Sequence, residues 1–270
     1  MALYPQCPSR EELRRYPVEK VLHSGECTLI VRPEPGFVFK VQPGIEEEIH
    51  ALEFIARKFG GQIPIPKLLH HPPLPLPGQR MSRSYMCMKE CPGLSLDKVV
   101  DSMTLSQLDH IADQLSDVLR TMSTVCSARV GTVYGGPFRT EFFPSHMSPE
   151  RAFDSTQEFL NEYRELLLHC SGEEYTQNLI SSFPRDVPVC FTHGDLLPKN
   201  IMVEGSTITA IIDWSTAGFY PSFWEYCRMH DPYFMTPGWK HILSRVFPGP
   251  RRDGEIQAVR KLLDTVQYFF

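Results

Sequence analysis

The stretch from Val189 to Trp214 constrains the fold of this chain more than any other. It begins with a short apolar strand, Val189-Cys190-Phe191, which runs into His193-Gly194-Asp195. Asn200 follows, and Asp213 ends the run Ile211-Ile212-Asp213-Trp214. Between them, Ile201-Met202-Val203 and Ile208–Ile212 flank the turn Glu204-Gly205-Ser206, a pattern that predicts a β-hairpin. The hairpin sets Asn200 at the mouth of one strand and Asp213 at the end of its partner. Two oxygen donors on adjacent strand ends can share one ion.

Taken singly, these residues have ordinary readings: a turn residue after glycine, a turn asparagine and a strand-end aspartate. Together, in this order, they match what a kinase-type phosphoryl-transfer site needs. In that reading Asp195 accepts or orients an acceptor hydroxyl, and Asn200 and Asp213 offer the hard oxygens that Mg²⁺ prefers. His193 reads as a scaffold that hydrogen-bonds the loop rather than as a general base. Cys190 and His193 could be half of a metal site, but no second half is visible, and a strand cysteine is the simpler reading.

Lys40 lies within the apolar run Val38-Phe39-Lys40-Val41, where an unpaired ammonium is costly. Its functional reading is a contact to the α- and β-phosphates of ATP and an ion pair with a helix glutamate. Glu48 is the chosen partner because it opens an amphipathic helix, with Glu46 and Glu47 as alternatives. The other reading is an edge-strand lysine pointing to solvent.

Around this site, Val18–Val31 and Gly36–Gln42 read as strands, turned by Pro33, Pro35 and Gly36. Helical spacing covers Glu46–Phe59 and stops at Gly60-Gly61. Ile63–Leu69 is extended by its prolines, and Pro72–Gly78 reads as a stiff surface loop. Tyr85–Met88 is a further strand that ends at Lys89-Glu90-Cys91-Pro92-Gly93, the candidate hinge. We therefore expect two units, residues 1–90 and 91–270. In the second, Thr104 and Gln107 form a capping box for a helix running from Leu105 to Met122. Gly131–Pro149 reads as loop, and further helices are marked by Phe159–Leu167 and Ile256–Val266.

The net charge of −5 leaves no basic stripe for a nucleic acid. Charge is uneven, about +2 over residues 1–90 and about −7 over 91–270. An acidic second unit is common on soluble proteins, and it would also suit an acceptor carrying a positive amine. The eight cysteines are scattered, without zinc-ribbon spacing. No apolar leader and no run of 18 apolar residues is present, so we expect no membrane span and a reducing, cytoplasmic setting.

The residues resemble the aminoglycoside phosphotransferase and choline kinase-like family, in particular its fungal members. The likeness runs through Lys40, Glu48–Ile55, Ile63-Pro64-Ile65-Pro66 and Met88–Gly93. It continues through Phe191–Asp195, Asn200, Ile211–Trp214 and Tyr220–Tyr226. It implies an α+β, protein-kinase-like fold of two lobes: a small antiparallel sheet with one helix, then a larger, mostly helical lobe. It also implies that Asp195 is the catalytic aspartate, that Asn200 and Asp213 bind Mg²⁺, and that Lys40 binds the phosphates of ATP. The backbone of Met88, Lys89 and Glu90 would hold the adenine. Ser24 and Gly25 fall, by position, in the phosphate-covering loop, and the acceptor would be the hydroxyl of a small molecule.

The chain departs from the family pattern in three places. The loop Leu22–Cys27 has one glycine and carries Glu26. Ser215 stands where an acidic residue is usual, and the first hairpin is short. A weak or inactive pseudokinase acting as an interaction protein is the alternative that the glycine-poor loop supports. A protein kinase fits less well, because Asp213 is followed by neither Phe-Gly nor a segment closed by Ala-Pro-Glu.

Overall fold

The computed structural model describes residues 21–24, 28–72, 85–138, 142–143 and 147–269. The predicted stiff loop at 72–78 lies outside these residues except for Pro72, as does Gly25. Chain order in the first lobe is β1 (Val21–Ser24), β2 (Leu29–Val31), β3 (Phe37–Val41), α1 (Ile45–Phe59), β4 (Leu68–His70) and β5 (Tyr85–Lys89). The strands form one antiparallel sheet in the order β1-β2-β3-β5-β4. β3 is therefore interior, with Lys40 opposite Ile30 on one side and Met86 on the other. That placement excludes the edge-strand reading of Lys40.

Helix α1 begins one residue before its predicted start, and Gly60 ends it in the left-handed conformation, as a C-terminal glycine should. Ile45, Ile49, Leu52, Ile55 and Phe59 are buried along one face, and Glu48 is buried among them.

The second lobe starts with β6 (Leu94–Ser95). It continues through α2 (Leu105–Ser123), β7 (Cys126–Ser127), α3 (Thr156–Cys170), α4 (Glu173–Ser181) and β8 (Val189–Thr192). The hairpin strands β9 (Ile201–Glu204) and β10 (Thr207–Ile211) follow, then β11 (Gly218–Pro221), α5 (Phe223–Met229), α6 (Pro237–Val246) and α7 (Asp253–Phe269). The capping box at Thr104 and Gln107 is complete in both directions. β9 and β10 pair with Ile201 opposite Ile211, which brings the residues flanking the hairpin side by side. Two three-stranded sheets, β10-β9-β6 and β11-β8-β7, carry the central segment.

The connector between the lobes is held at both ends. Glu90 accepts from Arg32 Nη1 at 2.8 Å and from the Gly36 amide at 3.0 Å, and its own amide donates to the Gly36 carbonyl. Gly93, at φ 92°, lies so close to β9 that a Cβ there would overlap the Val203 carbonyl. The Pro92 carbonyl accepts from Thr209 Oγ1 at 2.7 Å.

The buried core is continuous across the connector. Phe54 of α1 packs on Phe191 of β8 with ring centroids 5.1 Å apart. Deeper in the second lobe, Phe138, Phe142, Phe159, Tyr163, Tyr220 and Trp224 form an aromatic layer behind β11 and α5. This wall packs against the central segment, from which Asp213 reaches Lys40 of the first lobe.

Candidate active site

β8 is buried and delivers the chain into His193-Gly194-Asp195. Gly194 has φ 86°, and a Cβ there would meet Thr216 O at 2.9 Å, so only glycine fits this turn comfortably. The loop is tied in several directions. The amides of His193 and Gly194 donate to Glu225 Oε2 at 2.6 and 3.4 Å, and Thr216 Oγ1 donates to the His193 carbonyl at 2.9 Å.

His193 is enclosed. Its Nε2 donates to the Ile212 carbonyl at 3.0 Å, and its Nδ1 accepts from the Asp195 amide at 3.1 Å. Burial lowers its pKa, so the neutral ring spans the catalytic loop and the strand end. This geometry makes it a brace, and it excludes the Cys190–His193 half-site. Among the described residues no group of three or more His, Cys, Asp or Glu is arranged to hold a metal ion.

Asp195 is buried in the middle of a polar network. Oδ1 accepts from Arg228 Nη2 at 2.6 Å, and Oδ2 accepts from Lys199 Nζ at 2.9 Å and Asn200 Nδ2 at 3.0 Å. Burial alone would raise its pKa, but the charges of Lys199 and Arg228 outweigh it and hold the carboxyl below its ordinary value. Arg228 also donates to the Gly194 carbonyl at 3.2 Å and to Asp231 Oδ2 at 3.2 Å. Neither Arg228, Lys199 nor Glu225 was picked out from sequence. Lys199 stands four residues after Asp195, a spacing that could have found it, whereas the other two contacts are tertiary.

Asn200 also donates through Nδ2 to the Asp195 carbonyl at 2.8 Å. Both of its observed bonds use the nitrogen, which leaves the side-chain oxygen as its donor atom for a cation. The Asn200 carbonyl accepts from the Ile212 amide at 2.9 Å, so the two ends of the hairpin are stitched beside each other.

Asp213 follows at once. It has φ 62° and ψ 61°, and it is the one non-glycine residue with positive φ among those described. Aspartate tolerates this region better than most residues, and strained backbone of this kind gathers at functional sites. Its Oδ1 accepts from Lys40 Nζ at 2.6 Å and from Ser215 Oγ at 3.1 Å. Lys40 Nζ also donates to Glu48 Oε2 at 2.6 Å, so of the three first-turn glutamates it is Glu48 that meets the lysine. Burial would strip the proton from Lys40, but the charges of Glu48 and Asp213 outweigh it and raise its pKa.

An Asn and an Asp suit a hard cation that takes its remaining oxygens from phosphate, the usual arrangement for Mg²⁺. An all-protein cage is not required. Lys89 and Glu90 commit their amides to the carbonyls of Lys67 and Gly36, and Met88 is buried in β5 between Val38 and Leu68. Ser24 is exposed at the end of β1, opposite Leu29.

The sequence profile of the phosphotransferase enzyme family (APH) matches residues 15–255. The chain belongs to that family. Among solved structures it is similar to an apo thermostable mutant of aminoglycoside phosphotransferase APH(4)-Ia, at 16% identity and a TM-score of 0.60, covering 90% of this chain and 87% of that one. The streptomycin–ATP ternary complex of APH(2″)-IIa gives 12% identity and a TM-score of 0.56, covering 93% of each chain. Aminoglycoside-3′-phosphotransferase of type VIII gives 17% and 0.55, covering 94% and 95%. At these identities the likeness establishes the two-lobed, kinase-like α+β fold. A search of curated protein sequences returns no match.

Proposed function

We propose that this phosphotransferase moves the γ-phosphoryl group of ATP, with Mg²⁺, to a hydroxyl of a small molecule. The observation that carries the proposal is the junction of the lobes. Lys40 reaches from the small sheet to Asp213, while Asn200, on the adjoining strand end, is hydrogen-bonded to Asp195. Asp195 accepts or orients the acceptor hydroxyl, and its depressed pKa keeps it ionised as a hydrogen-bond acceptor. Lys40 binds phosphate oxygens and is kept in position by Glu48. Asn200 Oδ1 and Asp213 would hold Mg²⁺, which supplies charge neutralisation at the transferring phosphoryl group.

The division at residues 90 and 91, with the backbone of Met88–Glu90 near the base and Ser24 and Gly25 near the phosphates, belongs to the same proposal. So does a cytoplasmic setting, where ATP is abundant. No described helix is long and apolar enough to cross a membrane.

The surroundings of Asp195 bear on the acceptor. The second lobe as a whole is acidic, which suits an amine, and two related structures hold hygromycin B. At Asp195 itself, however, Arg228 and Lys199 neutralise the carboxylate, so an acceptor needs no positive charge to approach it. ATP with Mg²⁺ should raise the melting temperature, since a ligand at 100 times its Kd stabilises by about 2.7 kcal/mol. An unchanged melting temperature at millimolar ATP would favour the pseudokinase alternative. An ATP-consumption screen over amines, neutral sugars and hydroxy acids then identifies the acceptor.

A further inference from the structure

Two cysteines outside the candidate active site face each other across neighbouring strands. Cys126 of β7 lies directly opposite Cys190 of β8, and their sulfurs are 3.8 Å apart. The pair sits at a particular kind of cross-strand position. The Phe191 amide donates to the Val125 carbonyl at 2.9 Å, so Phe191 and Val125 form a hydrogen-bonded pair. Antiparallel ladders alternate, which makes the next pair, Cys190 and Cys126, a non-hydrogen-bonded one. At such positions facing Cα atoms generally lie about 4.5 Å apart, within the range a disulfide spans.

The two thiols differ in access. Cys126 is exposed on an edge strand, whereas Cys190 is half-buried. Burial, with the facing Cys126, pushes the Cys190 thiol up to about 11. Cys126 is therefore the thiol that a soluble reagent meets first, and Cys190 is the resolving partner behind it.

We propose that Cys126 and Cys190 form a dithiol modification site that closes to a disulfide by exchange with small-molecule disulfides. The Cys126 thiolate attacks one sulfur of the reagent, forming a mixed disulfide and expelling one reagent thiolate. The Cys190 sulfur, already within reach, then attacks the Cys126 sulfur and expels the second reagent thiolate. The protons lost by the two cysteines go to the two leaving thiolates. The reagent is reduced to two thiols, and the cysteines are oxidised by two electrons. Closure ties β7 to β8 only three residues before His193, so the covalent state of the pair is coupled to the strand that carries the Asp195 loop.

The test uses the full chain and oxidised glutathione as the probe. After incubation, free thiols are alkylated and the protein is digested without reductant for peptide mapping by mass spectrometry. A linked Cys126–Cys190 peptide, lost on treatment with dithiothreitol, is the expected result. The linked protein should also melt several degrees higher than the reduced protein, a rise absent from Cys126→Ser. In Cys190→Ala, glutathione should remain on Cys126 because nothing resolves it. Persistent glutathione on Cys126 of the wild-type chain would overturn the proposal, and so would recovery of both cysteines as free thiols. The wild-type map alone decides the matter if either variant fails to fold.

Discussion

The two charge clusters of the candidate site are mirror images. Where the lobes meet, a cation of the small lobe, Lys40, is held between two carboxylates, Glu48 of its own lobe and Asp213 of the second. In the large lobe an anion, Asp195, is held between two cations, Arg228 and Lys199. Their surroundings differ as well. The Lys40 and Glu48 side chains are 5% and 2% exposed, whereas Lys199 is 44% exposed. The first cluster is thus partly a structural element whose loss strands a buried charge. The second is built around one fixed partner, Arg228, and one that solvent reaches. Phosphoryl transfer needs both signs of charge held in place before the substrates arrive. Here one cluster bridges the two lobes and the other lies wholly within the second.

Four tests break or sharpen this contrast. Asp195→Asn should lower turnover by about 10²- to 10⁴-fold while leaving the fold and ATP-induced stabilisation intact. Steady-state rates near those of the wild type would remove Asp195 from the chemistry. Lys40→Met should cost about 3–5 kcal/mol of stability in denaturant unfolding, because Glu48 is left buried and unpaired. Adding Glu48→Gln should restore most of that stability without restoring turnover. Equal stability of the single and double variants would mean that the pair is not coupled.

Glu225 gives the third test. Burial, against the pull of the amides it caps, pushes its pKa to about 7 from an ordinary 4.5. The native state then binds this proton more tightly than the unfolded chain does. The associated stability is present below about pH 4.5 and is lost as pH rises through about 7, by about 3 kcal/mol. Unfolding free energies measured at pH 5 and pH 8 should therefore fall less in Glu225→Gln than in the wild type. Matching slopes in the two proteins would refute the assignment. The smallest effect is expected for Lys199→Met. Its exposed bridge should contribute no more than about 0.5 kcal/mol, so a larger loss in urea unfolding would show a buried role.

Much of this arrangement was legible in the residues. The hairpin that aligns Asn200 with Asp213 follows from alternation and a glycine turn. Helices α1 and α2 follow from period and caps, to within one residue at α1. Helices α4, α5 and α6 were not anticipated. In α5, six of seven residues are buried, so no polar face marks a helical period. α6 does carry a local start signal, with Thr236 capping Trp239 and Pro237 in the first turn. The cations on Asp195 divide in the same way. Lys199 is local to the loop, whereas Arg228 comes from α5, and no spacing rule links a helix to a carboxylate that lies 33 residues earlier. The strands β7 and β11 are short and gain their identity only by pairing with β8.

The clamped connector has a mechanical corollary. Glu90 moves with the small sheet, while the Pro92 carbonyl and Gly93 move with β9. Within the connector that leaves Cys91 and the front of Pro92 to turn, and the proline ring admits no rotation about φ. A nucleotide entering the cleft would thus meet jaws with a single short flexure, suited to small angular breathing rather than wide opening.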